Sequence, residues 1–258
     1  MDALLAEVES DPASLGLILH GSRARGVDRA GSDFDLVRVV TDDEYERRNA
    51  AGEVHTKAGD VDVVLQTPAR LRRLAGERGW WTASFLEARV VLDKTGELEG
   101  LLRAIVDSAN EAAYAGVAEA YDGYLNSWVR SIKAWRRGDE LGGRLHAAES
   151  AVHLLRTLFG LERRWLPYLD ALEPALPEIE QAQGWSAGFL RAAVLRLLDS
   201  GEPALQQVIE AQVEALMDAR GFGHEWGDDL APLKTLLFDS PPLESERYVK
   251  LERIEADG

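Results

Sequence analysis

The hydrophobic pattern of the chain changes once, near Glu97, and this change limits what the chain can fold into. Before it, short apolar runs of strand length alternate with amphipathic segments, as in mixed α and β structure. After it, apolar residues recur every three or four positions, which is the period of an α-helix. We therefore predict an α+β fold: a small mixed-sheet domain over residues 1–96, followed by an all-helical domain over residues 97–258.

Local signals divide the first part into elements. Strands are predicted at residues 15–19, 34–40, 53–57, 61–65 and 88–92. Helices are predicted at residues 3–9, at 42–48 after the N-cap Thr41, and from Thr67-Pro68 onward.

Two apolar stripes at helical spacing are predicted to form the core of the second part. The first is Tyr121, Tyr124, Leu125, Trp128, Ile132 and Trp135, and the second is Leu145, Ala148, Val152, Leu155 and Phe159. Tryptophans at this spacing are typical of a core, so we interpret them as packing residues.

The composition restricts the partners. A formal net charge of −16 would repel a polyanion, which argues against nucleic acid as a partner. The same field would attract a cationic small molecule to an acidic cleft, although solubility alone explains such a charge equally well. The chain has no cysteine, and so neither disulfides nor thiolate metal sites.

Targeting signals are not evident in the sequence. No apolar run is long enough to span a bilayer, and the acidic start MDALLAEVESD lacks the positive charge of a signal peptide. We therefore expect a cytoplasmic location and no membrane partner. The sequence does not indicate an oligomeric state.

The residues that indicate chemistry lie around the first two predicted strands. The first strand runs into Gly21-Ser22, where a small residue allows a ligand to approach the backbone. A helix beginning there would present free N–H groups to an anion. Asp33 and Asp35 follow at a spacing that puts both carboxylates on one face of a strand.

Asp62 is flanked by valines on another predicted strand and could add a third carboxylate to the same face. Adjacent carboxylates repel one another unless a cation lies between them, so the pattern predicts a magnesium site. A phosphate-binding turn beside such a site suits in-line nucleotidyl transfer. The alternative is a simple turn followed by exposed strand ends.

These residues resemble the nucleotidyltransferase superfamily of DNA polymerase β type. Its pattern is a hydrophobic residue, Gly, Gly or Ser, nine to thirteen residues, Asp, a hydrophobic residue, Asp or Glu, and a later acid between hydrophobic residues. The positions that match are Gly21, Ser22, Asp33, Asp35 and Asp62, within residues 15–65, whereas His20 stands where a hydrophobic residue is usual. The resemblance implies that Asp33 and Asp35 bind two magnesium ions, that Ser22 contacts the triphosphate, and that Asp62 is the third catalytic carboxylate.

Within the superfamily, the chain most resembles bacterial adenylyltransferases that modify aminoglycoside and lincosamide antibiotics. Those enzymes carry a general base on a helix of a second, helical domain. The residue that best fits this role is Glu149, which shares a polar stripe with His146, His153 and Arg156. A solvated helix face explains the stripe equally well, and a metal site there lacks the i, i+4 histidine pair of helical zinc sites.

Three basic residues are candidates for nucleotide binding. Arg23 and Arg25 lie in the predicted phosphate turn. Related enzymes carry a phosphate-binding lysine near the position of Lys133, although this residue shares a face with Asn126, Arg130 and Arg137 that is typical of an exposed surface.

We therefore expect an enzyme that transfers a nucleoside monophosphate, AMP in the simplest case, from ATP or another nucleoside triphosphate to a hydroxyl of a small molecule. An antibiotic is one candidate acceptor. A protein or transfer RNA acceptor, as in toxin–antitoxin systems, is the first alternative. A non-catalytic nucleotide-binding module is the second.

Overall fold

A computed structural model describes residues 1–28, 30–76 and 80–238, without the side chain of Trp80. The chain divides into two compact units, Met1–Ala112 and Ala113–Gly258. This division falls later than residue 96, within the helix that links the sheet to the helical part. The predicted limits of the two functional domains stay a prediction.

The first unit alternates helices and strands. Its elements are α1 (Asp2–Ser10), β1 (Ser14–His20), α2 (Gly21–Arg25), β2 (Phe34–Val40), α3 (Asp42–Ala50), β3 (His55–Ala58), β4 (Val61–Gln66), α4 (Pro68–Leu74), α5 (Trp80–Phe85), β5 (Arg89–Asp93) and α6 (Leu98–Ala115). The N-caps act locally: the side chain of Thr41 accepts from the Glu44 N–H, and that of Thr67 accepts from the Arg70 N–H.

The strands form one mixed sheet in the order β3-β4-β2-β1-β5. β2 and β4 are parallel neighbours, and the other neighbouring pairs are antiparallel. The predicted α+β class is therefore confirmed, and each predicted strand corresponds to an observed strand with ends shifted by no more than a few residues.

Both faces of the sheet are covered. On one face, Ile18, Val37 and Val39 pack with residues of α4, α5 and α6. On the other, Leu17, Leu36 and Val63 pack with α1. The alternation of strand side chains explains this division, since Leu36 and Val37 are consecutive and point to opposite faces.

The second unit is helical. Its helices are α7 (Val117–Arg136), α8 (Glu140–Leu161), α9 (Leu176–Ala182), α10 (Phe189–Asp199), α11 (Pro203–Ala219) and α12 (Leu230–Phe238), with 3₁₀ turns at Leu169–Ala171, Glu173–Ala175 and Gly227–Asp229. No helix in the described part of the chain combines the length and the apolar composition needed to cross a membrane.

One predicted core stripe is confirmed and the other is partly wrong. Along α7, the residues from Tyr121 to Ile132 of the predicted stripe are buried, and its last residue, Trp135, is half-buried. Along α8, Leu155 and Phe159 are buried, but Leu145 is 62% exposed. The buried positions of α8 instead include Ala147, Ser150, Ala151 and Leu154. The two helices approach closely at glycines: a Cβ on Gly143 of α8 would lie 2.7 Å from the Trp135 ring of α7. A side chain on Gly123 of α7 would collide with the His153 ring.

A buried arginine fixes α1 to the sheet. The Arg38 guanidinium donates to Ser14 Oγ at 2.8 Å, Glu7 Oε1 at 2.6 Å and Asp11 Oδ2 at 2.7 Å. Hydrogen bonds from the Ala13 backbone N–H, from Ser14 and from Arg38 lower the pKa of Asp11. Since the ionised carboxylate is the bonded form, this group stabilises the folded state when it is charged.

We predict that Asp11→Asn destabilises the protein by about 1–3 kcal/mol at neutral pH, because a charged hydrogen-bond acceptor is lost beside Arg38. The folded pKa lies below the unfolded one, so this contribution is present above the unfolded pKa and is lost as pH falls through the folded pKa. Urea unfolding should show the difference from wild type shrinking as the pH falls below the ordinary pKa of an aspartate. Glu9→Gln, an exposed change on α1, is the control. Equal effects of the two substitutions would contradict the role of Asp11.

Candidate active site

Strand register brings three carboxylates together. β2 and β4 are paired so that Asp35 lies opposite Asp62, and Asp33 immediately precedes β2 on the face of Asp35. One carboxylate oxygen of each of the three residues lies within 4.8 Å of the others. Phe34 and Leu36 pack on the opposite face, as the i, i+2 spacing predicts.

Gly21 lies directly against this cluster. Its φ is +73°, a conformation that residues with a side chain rarely adopt. A Cβ on Gly21 would lie 2.1 Å from Asp35 Oδ2. Glycine is therefore required here on two grounds, backbone conformation and the closeness of Asp35, and the short helix α2 begins beside the acids.

The carboxylates differ in their electrostatic surroundings. Burial, followed by the charges of Asp33 and Asp62, raises the pKa of Asp35. A hydrogen bond from Lys57 lowers the pKa of Asp33. Lys57 Nζ lies 2.7 Å from Asp33 Oδ2 and 3.6 Å from Asp62 Oδ2. The three acids thus repel one another, and a cationic side chain reduces that repulsion.

The donor set fits magnesium. Carboxylate oxygens are the ligands that this ion prefers. Burial is the main cause of the raised pKa of Asp35, and the repulsion from Asp33 and Asp62 that adds to it is what a divalent cation between the oxygens would remove. Among the described residues, no other group of three histidine, aspartate or glutamate side chains is arranged to hold a metal, and His146, Glu149 and His153 do not form one.

Two basic residues of β3 were missed from the sequence. Besides Lys57, His55 Nε2 lies 2.7 Å from Asp62 Oδ1. Lys57 is the register partner of Asp62. The signal was present, because the strands predicted at residues 53–57 and 61–65 are close enough in sequence to form a hairpin that brings Lys57 near Asp62. An exposed lysine on a short strand, however, does not by itself indicate a functional residue.

His20, the departure from the superfamily pattern, behaves as an apolar group. Its ring stacks on Phe85 and lies 6.2 Å from the Trp81 ring. Burial lowers the pKa of His20, which favours the neutral imidazole. The position therefore keeps the packing role that the usual hydrophobic residue would have.

The two arginines of the predicted phosphate turn are held by the protein. Arg23 donates to the backbone carbonyls of Ser32 and Asp33, and its guanidinium lies 3.9 Å from the centre of the Phe34 ring. Arg25 lies 4.0 Å from the Glu87 carboxylate. Arg23 thus positions the loop that carries Asp33, and its binding of a triphosphate stays a prediction, as does that of Arg25.

The remaining predicted residues lie in the second unit. Glu149 is on α8 with its side chain 55% exposed, and its Oε2 lies 3.2 Å from His146 Nδ1. A hydrogen bond with His146 lowers the pKa of Glu149, so this carboxylate is ionised throughout the neutral range. Lys133 is half-buried on α7. The roles of both residues stay predictions.

Comparison with known proteins supports the general class. Residues 1–107 match the family model of the nucleotidyltransferase domain. No curated protein matches the chain. A nucleotidyltransferase-like protein from Exiguobacterium sibiricum is similar over 84% of this chain and 78% of its own, with 14% identity and a TM-score of 0.39, too low to support a conclusion.

The family match contains the sheet, the Gly21-Ser22 turn and the three aspartates. Nucleotidyl transfer is therefore the general chemistry that this part of the chain supports. The resemblance to the superfamily is confirmed at the level of this domain, whereas the antibiotic-modifying type stays a prediction.

We predict that Gly21→Ala weakens metal binding by roughly 10–100-fold, because the new methyl group forces the Asp35 carboxylate to turn away. Gly26→Ala is a matched control, since Gly26 has a φ of +70° but no atom within 4 Å of an added Cβ. Both substitutions should cost about 1–2 kcal/mol of stability for the left-handed conformation. Titration of Mn²⁺ with each protein measures the difference. Equal affinities would show that Asp35 does not hold the ion.

Proposed function

We propose that the protein is a magnesium-dependent nucleotidyltransferase that transfers AMP from ATP to a hydroxyl of a small-molecule acceptor. The observation that carries the proposal is the convergence of Asp33, Asp35 and Asp62 beside Gly21, within the residues that match the nucleotidyltransferase domain.

The chain's own residues have distinct roles in this proposal. Asp33 and Asp35 hold magnesium, as two ions, and Asp62 completes the carboxylate set. Bound magnesium supplies charge neutralisation for the triphosphate and for the leaving pyrophosphate. Ser22 donates a hydrogen bond to a phosphate oxygen, and Arg25 and Lys133 are further candidates for contacts to the phosphates.

The transfer is an in-line displacement at the α-phosphorus. The acceptor oxygen forms a bond to this phosphorus. The bond between the same phosphorus and the oxygen that bridges it to the β-phosphate breaks, and pyrophosphate leaves. The acceptor's proton passes to a carboxylate, for which we propose Glu149. Its lowered pKa keeps it ionised and able to accept the proton, although as a weak base.

The net charge of the protein favours some chemical classes of acceptor over others. A net charge of −16 favours a cationic small molecule over transfer RNA. Aminoglycosides are therefore the first acceptors to test, followed by lincosamides, to which the resemblance points. A protein acceptor is not disfavoured by this charge, so total cell protein belongs in the same panel.

The direct test incubates the protein with ATP labelled at the α-phosphorus, magnesium and a panel of aminoglycosides, lincosamides, total protein and transfer RNA. We expect magnesium-dependent label on a small molecule. Asp35→Asn should lower the rate by about 10³-fold or more, since a metal contributes several kcal/mol to catalysis. The control is Asp43→Asn, an exposed change on α3. Label on RNA or protein would show that the acceptor is not a small molecule. Full activity of Asp35→Asn would refute the metal-dependent mechanism.

We predict that Glu149→Gln lowers turnover roughly 10²–10⁴-fold while magnesium–ATP binding and folding are unchanged, because the amide cannot accept a proton. In the wild type, the acid limb of the turnover profile should lie below the ordinary range of a glutamate pKa, and the variant should lose it. Glu119→Gln, an exposed change on α7, is the control. Unchanged turnover in Glu149→Gln would make Asp62 the next candidate base.

A further inference from the structure

The edge strand β3 carries two basic side chains toward the acid cluster. β3 lies at one end of the sheet and pairs with β4, so that Lys57 is opposite Asp62. His55 and Lys57 are two positions apart and share one face of this strand. Their contacts with Asp62 and Asp33 show that this face is the face of the acids.

The Lys57 ammonium contacts two of the three carboxylates that a metal would use. It bridges Asp33 Oδ2 at 2.7 Å and Asp62 Oδ2 at 3.6 Å. Both aspartates belong to the group arranged to hold a metal. A cation that occupies these oxygens and a divalent ion that binds them compete directly.

We infer that Lys57 is an internal counter-ion, which neutralises the acid cluster in the nucleotide-free protein and is replaced when the divalent cation binds. This inference rests on the proposed function, since it takes the cluster to be a metal site. Lys57 is thus a positioning residue that lowers the affinity for free metal. The metal then binds best together with the triphosphate, which supplies further oxygen ligands.

The exchange is physically easy. The Lys57 side chain is 54% exposed, so it can leave the cluster with little loss of packing. An exposed pair of a lysine with a carboxylate contributes little stability, and a lysine stem is flexible. A divalent ion carries twice the charge of the ammonium and interacts with the same oxygens more strongly.

The test measures binding of Mn²⁺ alone to the nucleotide-free protein, by electron paramagnetic resonance of the free ion. Lys57→Met removes the charge and keeps most of the length, so it should bind Mn²⁺ roughly two- to fivefold more tightly than the wild type. Lys57→Arg keeps the charge and should remain close to the wild type. Arg47→Met is the matched control, because it removes an exposed cation that pairs with Glu44, away from the cluster.

A second measurement compares thermal unfolding of the same proteins with and without metal. Without metal, Lys57→Met should melt at a lower temperature than the wild type, because the aspartates lose their counter-ion. Addition of magnesium should then raise its Tm by more than that of the wild type, since ligand stabilisation grows with affinity.

The outcomes separate this inference from the proposed function. If Lys57→Met binds Mn²⁺ no more tightly than the wild type, the counter-ion role is wrong. If none of the four proteins binds Mn²⁺, the cluster is not a metal site and the proposed function fails too. If Lys57→Met gains affinity but no acceptor is labelled from ATP, the counter-ion role holds and the proposed function fails.

Discussion

The pairing of β2 with β4 is the constraint on which the candidate site depends, because it holds three carboxylates together against their mutual repulsion. The parallel register of β2 and β4 sets Asp35 opposite Asp62, and the pleat of β2 sends Asp33 to the same face. Such an arrangement opposes folding, since like charges disfavour the ionised forms. The buried strand residues on both faces, such as Leu36 and Val37, offset it. A protein keeps an unfavourable cluster of this kind where function requires it, which is the usual exchange of stability for activity.

Much of this unit could be predicted because each element has a local signal. The strand at residues 34–40 has the same bounds in the prediction and in the structure. The helix after Thr41 begins where its cap predicts. The α8 stripe failed at Leu145 because the buried face of that part of α8 consists of small residues such as Gly143 and Ala147, which contribute little to a hydrophobic pattern. Helical periodicity therefore predicted the buried residues Leu155 and Phe159 in the second half of α8, but not the buried face of its first half.

The site was predictable only in part. The acids follow from spacing along single strands, which sequence shows directly. The partners of those acids depend on pairing between strands, and Lys57 contacts Asp33 across 24 residues of chain. For Arg23, charge and position predict a phosphate contact, which stays a prediction, and the structure adds that its guanidinium is bonded to backbone carbonyls of the loop before β2. A positive charge near a phosphate turn does not by itself distinguish binding a ligand from holding a loop.

Electrostatics acts in opposite directions on the two proposed substrates. A triphosphate is an anion, and both the net charge of −16 and the acid cluster repel it unless a divalent cation accompanies it. Binding of metal and of nucleotide is then reciprocally coupled, because each raises the affinity for the other. A cationic acceptor is attracted by the same field without any metal. Added salt screens both effects. It should therefore slow association of the cationic acceptor and speed association of the nucleotide. The acidity of the chain thus favours one substrate directly and makes the other depend on its metal.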